Sequence, residues 1–89
     1  MSHKPLNSAQ IRAARSLIRW SADDLARKAS LSVATVRRAE LTDSETSMTA
    51  ANDIAVRRAL EAAGVEFIDE NGGGAGVRLR KPAKEKSRK

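Results

Sequence analysis

The sequence predicts a mainly α-helical fold, a compact bundle of four to five helices that contains a helix-turn-helix and ends in a short C-terminal β-hairpin. Three observations lead to this prediction. Apolar residues recur at helical spacing behind good N-cap residues. Two of these caps, Ser21 and Ser32, lie eleven residues apart, which fits two short helices joined by a tight turn. Near the end of the chain, a glycine-rich turn separates two segments of alternating polarity.

The length of 89 residues allows one domain with a modest core. We expect an N-terminal arm over residues 1–7, a folded domain over residues 8–80 and a disordered basic tail over residues 81–89. The chain has no cysteine and a single histidine, His3, which excludes thiolate ligands and a histidine cluster. The sequence therefore predicts no metal, no cofactor and no enzymatic activity.

The formal net charge of +6 is distributed unevenly along the chain. Residues 1–38 contain eight Lys or Arg and two Asp or Glu, whereas residues 39–80 contain four basic and eight acidic residues. The last nine residues add five basic residues and one acid. A positive face of this kind suits a polyanion, although a solvated surface with a basic tail explains the same charges.

The first helix is expected to begin at Asn7 or Ser8, both good N-cap residues. Its apolar face carries Ile11, Ala14 and Ile18, with Leu17 beside them. Its opposite side carries Arg12, Arg15 and Arg19. Two interpretations of these arginines stay open: a solvated face, or a set of phosphate contacts.

The second helix follows the capping-box spacing of Ser21 and Asp24. Its inner face is predicted to consist of Leu25, Ala26 and Ala29. Trp20 lies immediately before the cap, and we interpret its side chain as a lid packed on the first helix rather than as a base-stacking group.

The third helix begins after Ser32 and extends to about Glu40. We expect Val36 to point back toward Leu25 and Leu31. The residues on or near the outer side are Val33, Ala34, Arg37 and Arg38. Exposed apolar side chains beside two arginines are unusual for a solvated face, but they fit thymine methyls, guanine edges and phosphates.

A polar segment over residues 42–47 precedes the fourth predicted helix. This helix covers residues 49–63, carries Ile54 and Leu60 among many alanines, and stops at Gly64, a natural C′ residue.

Two short strands are predicted for residues 65–69 and 76–80. The face they share holds Val65, Phe67, Val77 and Leu79. Three glycines lie in the turn, but the sequence around them lacks the strand, Lys-Ser pair and helix of a phosphate-binding loop.

The stretch WSADDLARKASLSVATVRRAE resembles the helix-turn-helix of the lambda repressor and Cro-like family, also called the xenobiotic-response-element family of bacterial regulators. The matching residues are Leu25 and Ala26 in the first motif helix, Leu31 and Ser32 at the turn, Thr35 and Val36 in the second helix, and Glu40 near its end. The segments ALEAAGVEF and GVRLR extend the resemblance over residues 8–80. It implies a helical bundle whose third helix enters the major groove.

By position, the resemblance implies seven DNA-contacting residues: Ser21, Ser32, Val33, Ala34, Thr35, Arg37 and Arg38. Arg38 is the best candidate for a base contact, because a guanidinium can pair bidentately with guanine O6 and N7. Two residues depart from the family pattern. Ala22 replaces the usual glutamine and removes its contact, and Ser30 replaces the turn glycine, so it must adopt a left-handed conformation or form a different turn.

The resemblance implies a cytoplasmic, nucleoid-associated transcriptional regulator, typically a repressor on double-stranded DNA. We expect a homodimer on an inverted-repeat operator, with the hairpin as its contact, because one recognition helix contacts too few base pairs to select a genomic site. One alternative is an antitoxin or other protein-interaction module that also binds DNA, with a toxin as partner. Another is an architectural protein without sequence preference. No apolar run approaches the ~20 residues that span a bilayer, so no membrane partner is expected.

Overall fold

The computed structural model describes residues 5–42, 46 and 48–80. Its elements are α1 (Ser8–Ile18), α2 (Ala22–Ala29), α3 (Val33–Glu40), α4 (Ala50–Ala62), β1 (Val65–Ile68) and β2 (Gly76–Leu79). Within these residues the chain forms a compact, mainly helical fold with four helices and one two-stranded antiparallel sheet. The predicted order of elements is confirmed. The predicted basic tail, most of the polar segment before α4 and the start of the N-terminal arm lie outside the described residues.

Each helix begins at a side chain that accepts a hydrogen bond from a free N–H of the first turn, as short polar caps do. These caps are Asn7, Ser21, Ser32 and Thr49. Of the two candidates for α1, Asn7 is the cap: its side chain accepts from the Gln10 N–H at 2.8 Å, and the Gln10 side chain accepts from the Asn7 N–H at 3.0 Å. The capping box predicted for Ser21 and Asp24 is also formed.

Left-handed residues end the first two helices and set the direction of the next one. Arg19 has φ 60° and ψ 36°, and Ser30 has φ 59° and ψ 43°. Ser30 thus adopts the left-handed conformation that a glycine would adopt without strain, at a cost of about 1 kcal/mol. The Leu31 N–H then donates to the Ala26 carbonyl at 2.8 Å, which closes the turn between α2 and α3.

The core is built from small and medium apolar side chains of all four helices, of the segment before α1 and of β1. Its buried members are Leu6, Ile11, Ala14, Leu25, Ala26, Ala29, Val36, Ala39, Val56, Leu60 and Val65. The packed part of the chain therefore begins at Leu6, before the boundary expected at residue 8, and the Leu6 N–H donates to Asp53 at 3.0 Å. In α4, Val56 and Leu60 fill the core, whereas Ile54 is 45% exposed. Trp20 is half-buried and packs against the core, and it shares a surface cleft with Lys28 of α2 and with Ala59 and Ala62 of α4.

The hairpin pairs Val65 with Leu79 and Phe67 with Val77. Since these four side chains share one face, the predicted alternation is confirmed, although Leu79 at its end is 53% exposed. The guanidinium of Arg57 lies 5.1 Å from the Phe67 ring centroid, a cation–π contact that links α4 to β1. The hairpin thus packs against α1 and α4.

Candidate nucleic-acid interface

Helix α3 has a buried side and an exposed side. Val36 and Ala39 are 1% and 2% exposed and pack into the core, which confirms the predicted direction of Val36. Ala34, Arg37 and Arg38 are exposed, as the sequence predicted. Within the described ranges, neither Arg37 nor Arg38 forms an ion pair or hydrogen bond with its side chain. The exposed side of α3 therefore offers two positive charges that no described carboxylate neutralises.

Val33 differs from its predicted position on the outer side. Its side chain is half-buried and packs against the core. The reason is the position of Val33 in the first turn, where α3 still lies close to α2 and Leu31. Only an edge of the side chain is left for contact with a ligand.

Ser32 and Thr35 form a local hydrogen-bonded pair at the beginning of α3. The Ser32 hydroxyl accepts from the Thr35 N–H at 3.1 Å and lies 2.9 Å from the Thr35 hydroxyl. Ser32 is exposed and Thr35 is half-buried. Each hydroxyl keeps a lone pair or a proton for a further partner, because a hydroxyl can donate once and accept twice.

Ser21 has the same capping role at the beginning of α2, where its hydroxyl accepts from the Asp24 N–H at 3.0 Å. The Ser21 N–H donates to the Asp24 carboxylate at 2.9 Å, and Arg27 donates to the same carboxylate at 2.9 Å. These hydrogen bonds, the backbone one first, hold the pKa of Asp24 below the ordinary aspartate range. Ser21 is thus exposed beside a carboxylate that is paired with Arg27, whereas the other six predicted residues belong to α3 and its cap.

An open, polar cleft of about 160 Å³ lies beside the exposed side of α3. Thr35 and Arg38 form one wall, and Thr49 and Asn52 at the beginning of α4 form the other. The cleft leaves space in which the Arg38 side chain can reorient.

The end of α3 is held by Arg15 of α1, a residue that the sequence analysis had assigned to solvent or phosphate. Its Nε and Nη2 donate to the two oxygens of Glu40 at 2.7 and 2.8 Å, and its Nη1 donates to the Trp20 carbonyl at 2.7 Å. The hydrogen bond with Glu40 raises the pKa of Arg15 above its ordinary value. Arg12 donates to the Glu40 carbonyl, and Ser8 donates to the Ala39 carbonyl. Arg15 is therefore not part of a solvated face, whereas its interpretation as a phosphate contact stays a prediction.

Sequence reasoning missed this contact, although a signal for it exists. Glu40 is a carboxylate in the last turn of a helix, where the helix dipole disfavours a negative charge. A buried carboxylate in that position needs a cation from another element, and Arg15 supplies it.

No group of three or more His, Cys, Asp or Glu in the described residues could hold a metal ion. None of their helices combines the length and the apolar character that crossing a membrane requires. Comparisons with models of known protein families and with curated proteins find no match.

Proposed function

We propose that this protein is a sequence-specific DNA-binding transcriptional regulator in which α2 and α3 form a helix-turn-helix and α3 enters the major groove. The observation that carries the proposal is the exposed side of α3, where Ala34 lies beside Arg37 and Arg38, two arginines that no described carboxylate pairs with. The opposite side of the same helix is packed, and its end is fixed to α1 by Arg15 and Glu40. A rigidly held helix with free donors suits the recognition of base edges.

The dimensions and charges of the helical part support the same proposal. Helix α3 has eight residues and is about 12 Å long, and a helix of ordinary diameter fits a major groove of about 12 Å. Residues 8–40 carry seven basic and three acidic residues, whereas residues 49–80 carry four basic and five acidic residues. The helices that would face DNA are thus the positive part of the folded chain.

Each exposed residue has a role that its chemistry suits. Arg38 would pair with a guanine, Ala34 would contact a thymine methyl, and Arg37 would contact phosphate or a second base. The hydroxyls of Ser32 and Ser21 would contact phosphate oxygens. Val33 would contact DNA only with an edge of its side chain, because most of that side chain packs against the core.

The test is the selection of bound duplexes from a random pool, followed by titration of the selected site with two matched variants. Arg38→Ala should weaken binding to the selected site by about 1–3 kcal/mol and relax the preference at one base pair. The control is Arg58→Ala, which removes an exposed arginine from α4 and should leave that preference unchanged.

Three results would contradict parts of this proposal. A pool without enriched sequences would indicate an architectural protein. Equal weakening of all duplexes by Arg38→Ala would make Arg38 a phosphate contact. If Arg38→Ala and Arg58→Ala reduced the preference for the selected site equally, α3 would not be the helix that contacts the bases.

A further inference from the structure

A second cleft lies where α2 meets the last turns of α4. It has a volume of about 220 Å³ and is lined by Trp20, Lys28, Ala59, Ala62 and Ala63, and we call it the Trp20 cleft. Four of its five lining residues are apolar, and the fifth is the exposed Lys28. The Trp20 cleft thus combines an apolar wall with one cation, unlike the polar cleft beside α3.

Trp20 gives this cleft an ordered aromatic surface. The Trp20 N–H donates to the Arg15 carbonyl at 3.0 Å, and the Trp20 carbonyl accepts from the Arg15 side chain at 2.7 Å. The indole is half-buried and packs against the core. Because both its backbone and its ring are held, a ligand that stacks on the part facing the cleft does not have to order the side chain first.

Lys28 gives the cleft its charge. Its side chain forms no ion pair with any carboxylate of residues 5–42, 46 and 48–80. On the α4 side, the Glu61 carboxylate lies 3.8 Å from Arg57. Arg80 donates to the Glu61 carbonyl at 3.0 Å, which offsets the negative end of the α4 dipole. The positive charge of Lys28 therefore attracts an anion to the apolar wall.

The size of the cleft and the composition of the chain limit the occupant. A cavity of about 150 Å³ holds benzene, so 220 Å³ has room for one aromatic ring with a short charged group. The chain supplies no such group itself. Its only aromatic residue besides Trp20 is Phe67, which contacts Arg57, and residues 81–89 contain five basic residues and no aromatic one. The fitting occupant is therefore a small molecule from solution.

We propose that the Trp20 cleft binds a small aromatic carboxylate. Its ring packs between the Trp20 indole and the alanine methyls of α4, and its carboxylate pairs with Lys28. For a ligand with a single ring, the dissociation constant is on the order of millimolar, because the cleft is open and the ion pair is exposed to solvent. This site lies apart from the exposed side of α3 and goes beyond the proposed function.

Phenylacetate and phenylacetamide test the proposal on the full chain. The two probes have the same shape, but only phenylacetate is charged at neutral pH. Trp20 is the single tryptophan, so its fluorescence and its indole N–H peak in a proton–nitrogen NMR spectrum report on this cleft alone. Phenylacetate should shift both signals. Phenylacetamide should bind about 2- to 5-fold more weakly, the effect of losing an exposed ion pair.

Lys28→Met tests the charge. It should weaken phenylacetate binding by the same factor of about 2 to 5 and leave the affinity for phenylacetamide unchanged. The matched control is Arg58→Met, which removes an exposed cation of α4 outside the cleft and should change neither affinity.

Ala62→Leu tests the apolar wall. Ala62 is exposed, so a leucine there fills the cleft without entering the core, and the circular dichroism spectrum should be retained. Both probes should lose at least about tenfold in affinity. The matched control is Ala51→Leu, at an exposed position of α4 that does not line the cleft.

Three results would overturn the site. The first is the absence of any shift in the two Trp20 signals at phenylacetate concentrations well above millimolar. The second is equal affinity for the two probes, and the third is binding that Ala62→Leu leaves unchanged. The titrations contain no DNA, so their failure and the failure of the proposed function are separate outcomes.

Discussion

The two sides of α3 differ in the burial of their charged side chains. On the inner side, the Glu40 side chain is 8% exposed and receives two hydrogen bonds from Arg15, whose other nitrogen is bound to a carbonyl. On the outer side, Arg37 and Arg38 extend into solvent. Arg27 of α2 is intermediate, since it is paired but mostly exposed. The comparison teaches that a buried charge holds this helix against α1, whereas the exposed charges make no ion pair with the described residues.

The largest effect on stability should come from Glu40→Ala. This variant leaves the mostly buried Arg15 without its carboxylate, so the free energy of unfolding should fall by about 2–4 kcal/mol in urea denaturation. The control is Glu66→Ala, which removes the exposed partner of Arg78 and should cost at most about 1 kcal/mol. If both variants lowered the free energy of unfolding equally, the buried ion pair at the end of α3 would contribute no more to stability than an exposed one.

This contact also marks a limit of prediction from sequence. The helical period placed Arg12, Arg15 and Arg19 together on one side of α1, which is correct for an isolated helix. It could not indicate that the end of α3 lies against that side, because this depends on the turns at Arg19 and Ser30. Local features were therefore predictable, including the caps, the hairpin and the direction of Val36, whereas the partner of a charged side chain was not.

A gain in stability is expected for Ser30→Gly. Ser30 has φ 59°, and glycine adopts this conformation without a Cβ penalty, so the free energy of unfolding should rise by about 0.5–1 kcal/mol. The control is Ser16→Gly at an exposed position inside α1, where glycine should lower stability by a similar amount. Because neither site touches the outer side of α3, DNA affinity should stay constant. A stability change of the same sign in both variants would disprove the conformational explanation.

The smallest effect concerns Asp24, whose carboxylate receives hydrogen bonds from the Ser21 N–H and from Arg27. The folded-state pKa is the lower one, so the stabilisation is complete above the unfolded-state value of about 3.9 and is lost as the pH falls through the folded-state pKa. NMR titration of the carboxyl carbon should give a pKa below about 3.9. Arg27→Ala should raise the pKa of Asp24, and the control Arg37→Ala should not. If both variants changed this pKa equally, the hydrogen bond from Arg27 would have no specific effect on it.

The side chains of α4 that are buried, one of which contacts the N-terminal segment, show a second limit of prediction from sequence. Ile54 is apolar but exposed, whereas Asp53 and Arg57 are charged but buried. Asp53 is buried because it accepts from the Leu6 N–H, and Arg57 lies over Phe67. Hydrophobicity predicts the buried side of a helix only where no polar partner from a distant segment is present, and sequence alone does not locate such partners.

The side chain of Gln10 joins two parts of the chain that are 66 residues apart. Its oxygen accepts from the Asn7 N–H, and its nitrogen donates to the carbonyls of Gly76 at 3.1 Å and Ile68 at 3.4 Å. Fraying of the first turn of α1 therefore withdraws donors from the hairpin, and detachment of the hairpin leaves a buried amide without acceptors. The two ends of the described chain thus belong to one cooperative unfolding unit, and neither can open while the other keeps all of its hydrogen bonds.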